Sequence, residues 1–216
     1  MGCPIEIEFA VNINQEENVL PILAILQIRP LVPSNEQTQI SWDEDFDKKG
    51  VLIHSNKALG NGLIKSIKDV VYVPPDLFDS TKTIEIAKEI DKLNQDLIKS
   101  KKPFILIGPG RWGTEDRFLG VPVKWNQISG VRVMVETALE NFVTEPSQGT
   151  HFFHNITSRG IGYINVPYNS KEYFIDWRWL EEKQPIKSLK FVKHIELDNY
   201  LTIKLDGRKS CALIEK

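Results

Sequence analysis

The amino-acid sequence predicts a mixed α/β fold, on three observations. Short apolar runs bounded by turn residues recur along the chain: VLIH from Val51, DVVYVPP from Asp69, PFILIG from Pro103, VRVMVE from Val131 and GYINVP from Gly162. Such runs read as buried strands. One stretch, Lys82 to Lys101, changes period: Ile86, Ile90, Leu93 and Leu97 recur every three or four residues, which predicts a helix. Both ends of the chain alternate strictly, as half-buried strands do.

The first element, IEIEFAVNI, places Ile5, Ile7, Phe9 and Val11 on one face and Glu6 and Glu8 on the other. A polar segment, NQEEN, leads to a second apolar run, VLPILAILQI, so the pair reads as a hairpin with a long loop. Pro21, Pro30 and Pro33 precede the acidic stretch WDEDFD, which reads as a linker. Next come VLIH, GLIKSI and DVVYVPP, punctuated by Gly60, Asn61 and Gly62, residues that tolerate tight turns. The helix follows, and Lys99, Lys101 and Lys102 near its end complement the exposed carbonyls there.

Strand PFILIG then runs into a glycine-rich loop, GPGRWG, and VRVMVE is a further strand. HFFHNITSRG reads as a short helix ended by Gly160, with GYINVP returning as a strand. EYFIDWRWLEEK mixes strand and helix character. LKFVKHIEL alternates, and the tail predicts a hairpin turning at Asp206-Gly207, a pairing typical of type I′ turns.

Composition narrows the function classes. Of 216 residues, 41% are hydrophobic and 26% charged, enough to build a core. The formal net charge of -2 gives no global attraction to phosphate backbones, so no nucleic-acid partner is expected. No apolar run reaches the roughly 18 to 20 residues needed to span a bilayer, and no basic-then-apolar leader opens the chain. No membrane partner and a cytoplasmic location are therefore expected. Cys3 and Cys211 lie near opposite ends without CxxC or Cys/His spacing, which predicts reduced, structural cysteines.

Three constellations could carry chemistry. IEIEF followed by AILQIRPL resembles the last two strands of the ATP-grasp domain of the phosphoenolpyruvate synthase and pyruvate phosphate dikinase family. The resemblance implies that Glu8 and Gln27 hold Mg²⁺ on the phosphates of ATP, and that Arg29 contacts phosphate. Hard oxygen donors suit Mg²⁺, and an arginine fork suits phosphate. The nucleotide-binding body of such a domain is not in this chain, so the chain alone is expected to be inactive and its first partner to be the rest of a parent polypeptide.

The second constellation, PSQGTHFFHNITSRGIGYINV, is similar to the mobile-histidine segment of the swivelling domain in the same enzymes. His151 takes the place of the phosphocarrier histidine, beside Gly149, and Arg159 precedes the Gly160-Ile161 pair. An imidazole at a helix start can accept a phosphoryl group, and free amides there stabilise it. Phe152 and Phe153 stand where the family has alanines, and the glycine pair is not reproduced. His154, three residues on, makes a metal pair with His151 conceivable, although no third ligand is in sight. A histidine among aromatics also suits a packed core role, so both readings stay open.

The third, LIGPGRWGTEDRFLGVPVKW, is a buried strand opening into a glycine loop that carries Arg111. Gly110 and Arg111 are candidates for a phosphate cradle, since glycine lets backbone amides approach an anion. This stretch, with SQGTHFF, resembles bacterial proteins labelled phosphoenolpyruvate synthase or pyruvate-binding. Trp112, Trp125, Trp177 and Trp179 read as packing residues, and His54 and His194 as structural.

Taken together, the resemblance implies an end of an ATP-grasp-like domain over 1–30, a linker over 31–50, and a swivelling-type β/β/α domain with a C-terminal β extension over 51–216. It implies a fragment of an ATP-dependent, kinase-like transferase that passes phosphate through His151 towards a small acceptor, pyruvate in the family, with Mg²⁺ and ATP as cofactors of the full-length parent. The alternative is a non-catalytic anion-binding or regulatory module whose phosphohistidine site has degenerated.

Overall fold

A computed structural model of the chain describes residues 5–12, 20–30, 46–116, 118–147, 156 and 159–216. The chain divides into two units, Met1–Ser34 and Asn35–Lys216. The first contains an antiparallel pair, β1 (Ile5–Asn12) and β2 (Ile22–Pro30). Register runs from Ile5 opposite Pro30 to Glu8 opposite Gln27, then shifts so that Phe9 faces Ile25 and Leu26 has no partner. That bulge lets β2 match the alternation of β1: Ile28, Ile25 and Leu23 oppose Ile7, Phe9 and Val11, while Gln27 opposes Glu8. A regular β2 would have put Ile25 and Gln27 on the same face.

In the second unit the strands are β3 (Val51–Ser55), β4 (Ala58–Leu59), β5 (Asn61–Ile64), β6 (Asp69–Tyr72), β7 (Phe104–Pro109), β8 (Arg111–Trp112), β9 (Gly120–Val121), β10 (Val131–Thr137), β11 (Gly162–Val166), β12 (Phe174–Ile175), β13 (Lys187–Ser188), β14 (Lys193–Glu196), β15 (Thr202–Asp206) and β16 (Cys211–Glu215). Helix α1 spans Thr83–Lys99 and α2 spans Trp177–Glu181. The described residues form a seven-stranded sheet ordered β13-β14-β6-β7-β10-β11-β4 and a five-stranded one ordered β12-β3-β16-β15-β5. No helix among them is long and apolar enough to cross a membrane.

The centre of the larger sheet is parallel, β6-β7-β10-β11 in chain order. Parallel crossovers share one hand, so steps taken in one direction place every connection on the same face. Here that face carries α1 through Ile86, Ile90, Leu93 and Leu97, the 3-10 turn Trp125–Ile128 through Ile128, and Ile156 from the third connection. Leu106, Met134 and Tyr163 of the sheet pack against them. The opposite face, bearing Val70, Ile105, Val133 and Ile164, would otherwise be wet, and the five-stranded sheet covers it with Ile53, Ile203 and Ile214. The result is three layers, sheet on sheet on helix, in a mixed α/β unit. Central strands buried on both faces are continuously apolar, which is why PFILIG shows no alternation.

Two sequence expectations need correction. The tail hairpin is not a two-residue type I′ turn, because Asp206 pairs with Cys211 and Gly207–Ser210 form a four-residue loop. The Asp206 carboxylate accepts from the Arg208 and Lys209 amides, while the Gly207 N–H donates to the Gly60 carbonyl and Asn61 Oδ1, each at 2.9 Å. The loop is therefore shaped by its neighbours across the sheet. Nor is that hairpin an extension: β16 lies between β3 and β15, inside the smaller sheet.

Helix α1 ends with Lys101 in the left-handed region (φ 54°) and the Lys102 N–H bonded back to the Leu97 carbonyl, a Schellman-type stop without glycine. Lys102 is more than a solvated helix end. With Lys68 it grips Glu196, at 2.6 and 2.7 Å, tying β14 to the segments before β6 and β7. EYFIDWRWLEEK resolves into β12 and α2, the latter capped by the Asp176 side chain on the Trp179 N–H.

Candidate functional site

The loop after β7 lies at the carboxyl ends of the parallel strands. Gly110 adopts φ 74° and Gly113 φ 69°, conformations that favour glycine. A Cβ on Gly110 would sit 2.5 Å from the Phe142 ring and 2.8 Å from the Leu119 carbonyl, and one on Gly120 would sit 2.0 Å from the Arg111 carbonyl. These glycines allow close approach of protein to protein. Every amide of the loop is already engaged: Gly110 N–H with the Thr137 carbonyl, Arg111 N–H with Leu119, Gly113 N–H with Val121, and Trp112 N–H with the Glu136 carboxylate. The expected amide cradle is therefore absent, and Gly110 serves packing. Between them Trp112 points inward, buried, with its indole N–H donating to the Val135 carbonyl at 2.9 Å.

What the loop offers outward is the Arg111 side chain. Its Nε donates to the Glu145 carbonyl at 2.6 Å, which fixes the plane of the guanidinium. Its Nη2 lies 3.7 Å from the Glu145 carboxylate, which is 93% exposed, while the Arg111 side chain is 20% exposed. An ion pair so wet contributes at most about 1 kcal/mol and is readily exchanged for another anion. Arg159, exposed, stacks over Trp125 with Cζ 5.0 Å from the ring centroid. It precedes Gly160 (φ 65°), and the Ile161 N–H bonds back to the Ile156 carbonyl; apart from Ile156, the short helix expected before Arg159 lies outside the described residues.

Beneath Arg111 lies a residue that the sequence did not mark. Glu136, 1% exposed, sits near the end of β10 on the α1 side of the sheet. Its Oε1 accepts from the Trp112 N–H at 3.0 Å and from the Ser147 hydroxyl; its Oε2 accepts from the Ser147 N–H at 3.1 Å and the Tyr163 hydroxyl at 2.6 Å. Burial pushes the carboxyl above the ordinary glutamate range, against the pull of its donors, and burial likewise pushes the Tyr163 phenol up. A lone glutamate at the end of a strand reads as solvent-facing. The available signal was its parity with Met134.

The remaining candidates divide. Glu8 and Gln27 are direct cross-strand partners, both exposed, next to the bulge. Opposed side chains start about 4.5–5.5 Å apart, so the two oxygens can reach one hard cation, and the donor set fits Mg²⁺. Arg29 pairs with Glu6. His151, His154 and Gly149 lie outside the described residues. Among the described residues no group of three or more His, Cys, Asp or Glu converges on a metal position.

His194 is structural: Nε2 shares a 2.7 Å hydrogen bond with Asp69, both buried. His54 packs edge-on to Phe46 and beside Tyr173. Comparison of the chain with known protein families, with curated proteins and with solved structures gives no match.

Proposed function

We propose that the layered unit is an anion-binding module, recognising a small phosphorylated or carboxylate ligand through the guanidinium of Arg111. The observation that carries this reading is the geometry of that side chain: oriented by its Nε on the Glu145 carbonyl, among the described residues it presents its Nη edge to an exposed carboxylate. A pre-oriented arginine loses little freedom on meeting a phosphate. Among the described residues the parallel strands β6, β7, β10 and β11 follow chain order, without the reversal that forms a switch-point crevice in α/β enzymes. A surface cation suits docking or sensing better than enclosed chemistry.

Titration with inorganic phosphate and pyrophosphate, read by the backbone amide resonances of Gly110, Trp112 and Gly113 beside that side chain, tests it. Saturable shifts that vanish in Arg111→Ala are expected. Shifts of equal size in Arg111→Ala would refute the assignment.

A second reading, a fragment of a phosphoenolpyruvate synthase-like phosphotransferase with a swivelling-type domain and His151 as carrier, is favoured by one observation: Glu8 stands opposite Gln27, as an ATP-grasp metal pair requires. Under it, those two residues hold Mg²⁺ on ATP with Arg29 on a phosphate of the nucleotide, Arg111 or Arg159 steadies the phosphate carried by His151, and the acceptor is a small molecule such as pyruvate. The protein supplied with Mg²⁺ and ATP labelled at the β-phosphate would then carry acid-labile label on His151, lost in His151→Ala. Absence of label from the whole parent polypeptide would exclude the relay.

A further inference from the structure

We infer that Glu136 is a positioning residue that sets the Arg111 guanidinium for anion binding; the inference rests on the anion-binding reading above. Arg111 is held at two points, by its own backbone in β8 and by the Glu145 carbonyl that accepts from its Nε. One buried carboxylate governs both. The Trp112 N–H, one residue beyond Arg111, donates to Oε1, and the Ser147 N–H and hydroxyl, two residues beyond Glu145, donate to Oε2 and Oε1. The spacing between the two holders of Arg111 is thus measured across a single side chain. Tyr163 of β11 donates to Oε2 and helps to lock the carboxylate.

Chemistry favours a carboxylate here over any other residue. Four donors converge on two oxygens, the number of acceptor positions that an ionised carboxylate offers. A glutamine replaces one oxygen by an NH₂ group, and two of the four donors would face it. The Tyr163 or Ser147 hydroxyl can rotate to accept, but a backbone N–H cannot. Whichever way the amide is turned, Glu136→Gln costs the Trp112 or the Ser147 N–H its bond to this side chain, and the tie between the two holders is weakened. A hydrophobic core needs no such group at this place, and its burial works against the charge.

The test is Glu136→Gln beside wild type, with two readouts: the dissociation constant for inorganic phosphate, and the chemical shift and solvent exchange of the Arg111 Nε–H. Affinity should fall about tenfold, the scale of one buried hydrogen bond left unmade, and the Nε–H should exchange faster. Ser147→Ala should reproduce the direction of both changes. Should Glu136→Gln fail to fold, Ser147→Ala, which deletes one donor, carries the same comparison. An Arg111 Nε–H unchanged in both variants overturns the inference. If wild type binds no phosphate yet the Nε–H still responds to Glu136→Gln, the positioning role stands and the anion-binding reading falls.

Discussion

Replacing Gly110 by alanine separates two effects that the loop after β7 combines. Gly110 holds φ 74°, where an L side chain costs about 1–2 kcal/mol. Its Cβ would also lie 2.5 Å from Phe142, 2.8 Å from the Leu119 carbonyl and 2.9 Å from the Cα of Gly120. Two of those three neighbours are backbone, and the ring is packed 4.8 Å from Phe78, so relief requires the loop to move. Overpacking of this kind costs about 1–3 kcal/mol. The sum for Gly110→Ala is then about 2–5 kcal/mol.

Gly160 supplies the matched control, with φ 65° and nothing within 4 Å of a built Cβ, so Gly160→Ala should lose only the backbone part, about 1–2 kcal/mol. Gly50, with open space and no positive φ, should be neutral or gain a few tenths of a kcal/mol as alanine. Urea unfolding followed by tryptophan fluorescence gives all three differences at constant m. Equal losses for Gly110→Ala and Gly160→Ala would refute the claim that close approach, and not backbone conformation alone, demands glycine in the loop.

A second pair tests the same packing from the other side. A Cβ on Gly108 would lie 2.7 Å from the Cζ2 and Cη2 atoms of Trp112, atoms that phenylalanine lacks, so Gly108→Ala should cost less in a Trp112→Phe background than alone. Trp112→Phe by itself should cost about 1–3 kcal/mol through the lost indole hydrogen bond and volume; additive losses in a double-mutant cycle would contradict the contact. The Lys102 and Lys68 ammonium groups hold Glu196 at about 2, well below an ordinary glutamate. Because the folded value is the lower one, the stability this clamp contributes is present above the unfolded value of about 4.3 and is lost as pH falls from there towards 2. The stability profile of Glu196→Gln should be flatter than wild type across that window and should converge with it at 1 M salt; parallel profiles would remove the clamp's role.

Much of the framework was legible because local rules and tertiary burial agree. The period of α1 is visible since a single face of it meets the sheet, and the apolar runs of β6, β7, β10 and β11 are visible since both faces are covered. Legibility failed where distant pairing decides. Nothing local places β16 between β3 and β15, and the turn at Gly207 is set by Gly60 and Asn61, far away in sequence. The glycine loop was misread for a related reason. A glycine that admits a ligand and a glycine that admits another strand have the same letter, and only the partners of its amides distinguish them. Likewise the bulge at Leu26, which aligns Gln27 with Glu8, has no signature in ILAILQIRP.

Departures from the ordinary rules of a core gather at one edge of the molecule. Two positive-φ glycines, a fully buried glutamate, a buried serine and an arginine whose Nε bonds a carbonyl all lie around the ends of β7 and β10. Glu136 is a costly choice for a core position, since its burial pushes the carboxyl up against the pull of its donors. Elsewhere the described core keeps its polar groups few and locally explained, as with Asp69 and His194 or Asn94 on the Gly130 amide. A protein departs from local consistency where function demands a geometry that packing alone would not choose. By that argument the edge carrying Arg111 is the first place among the described residues to test for binding.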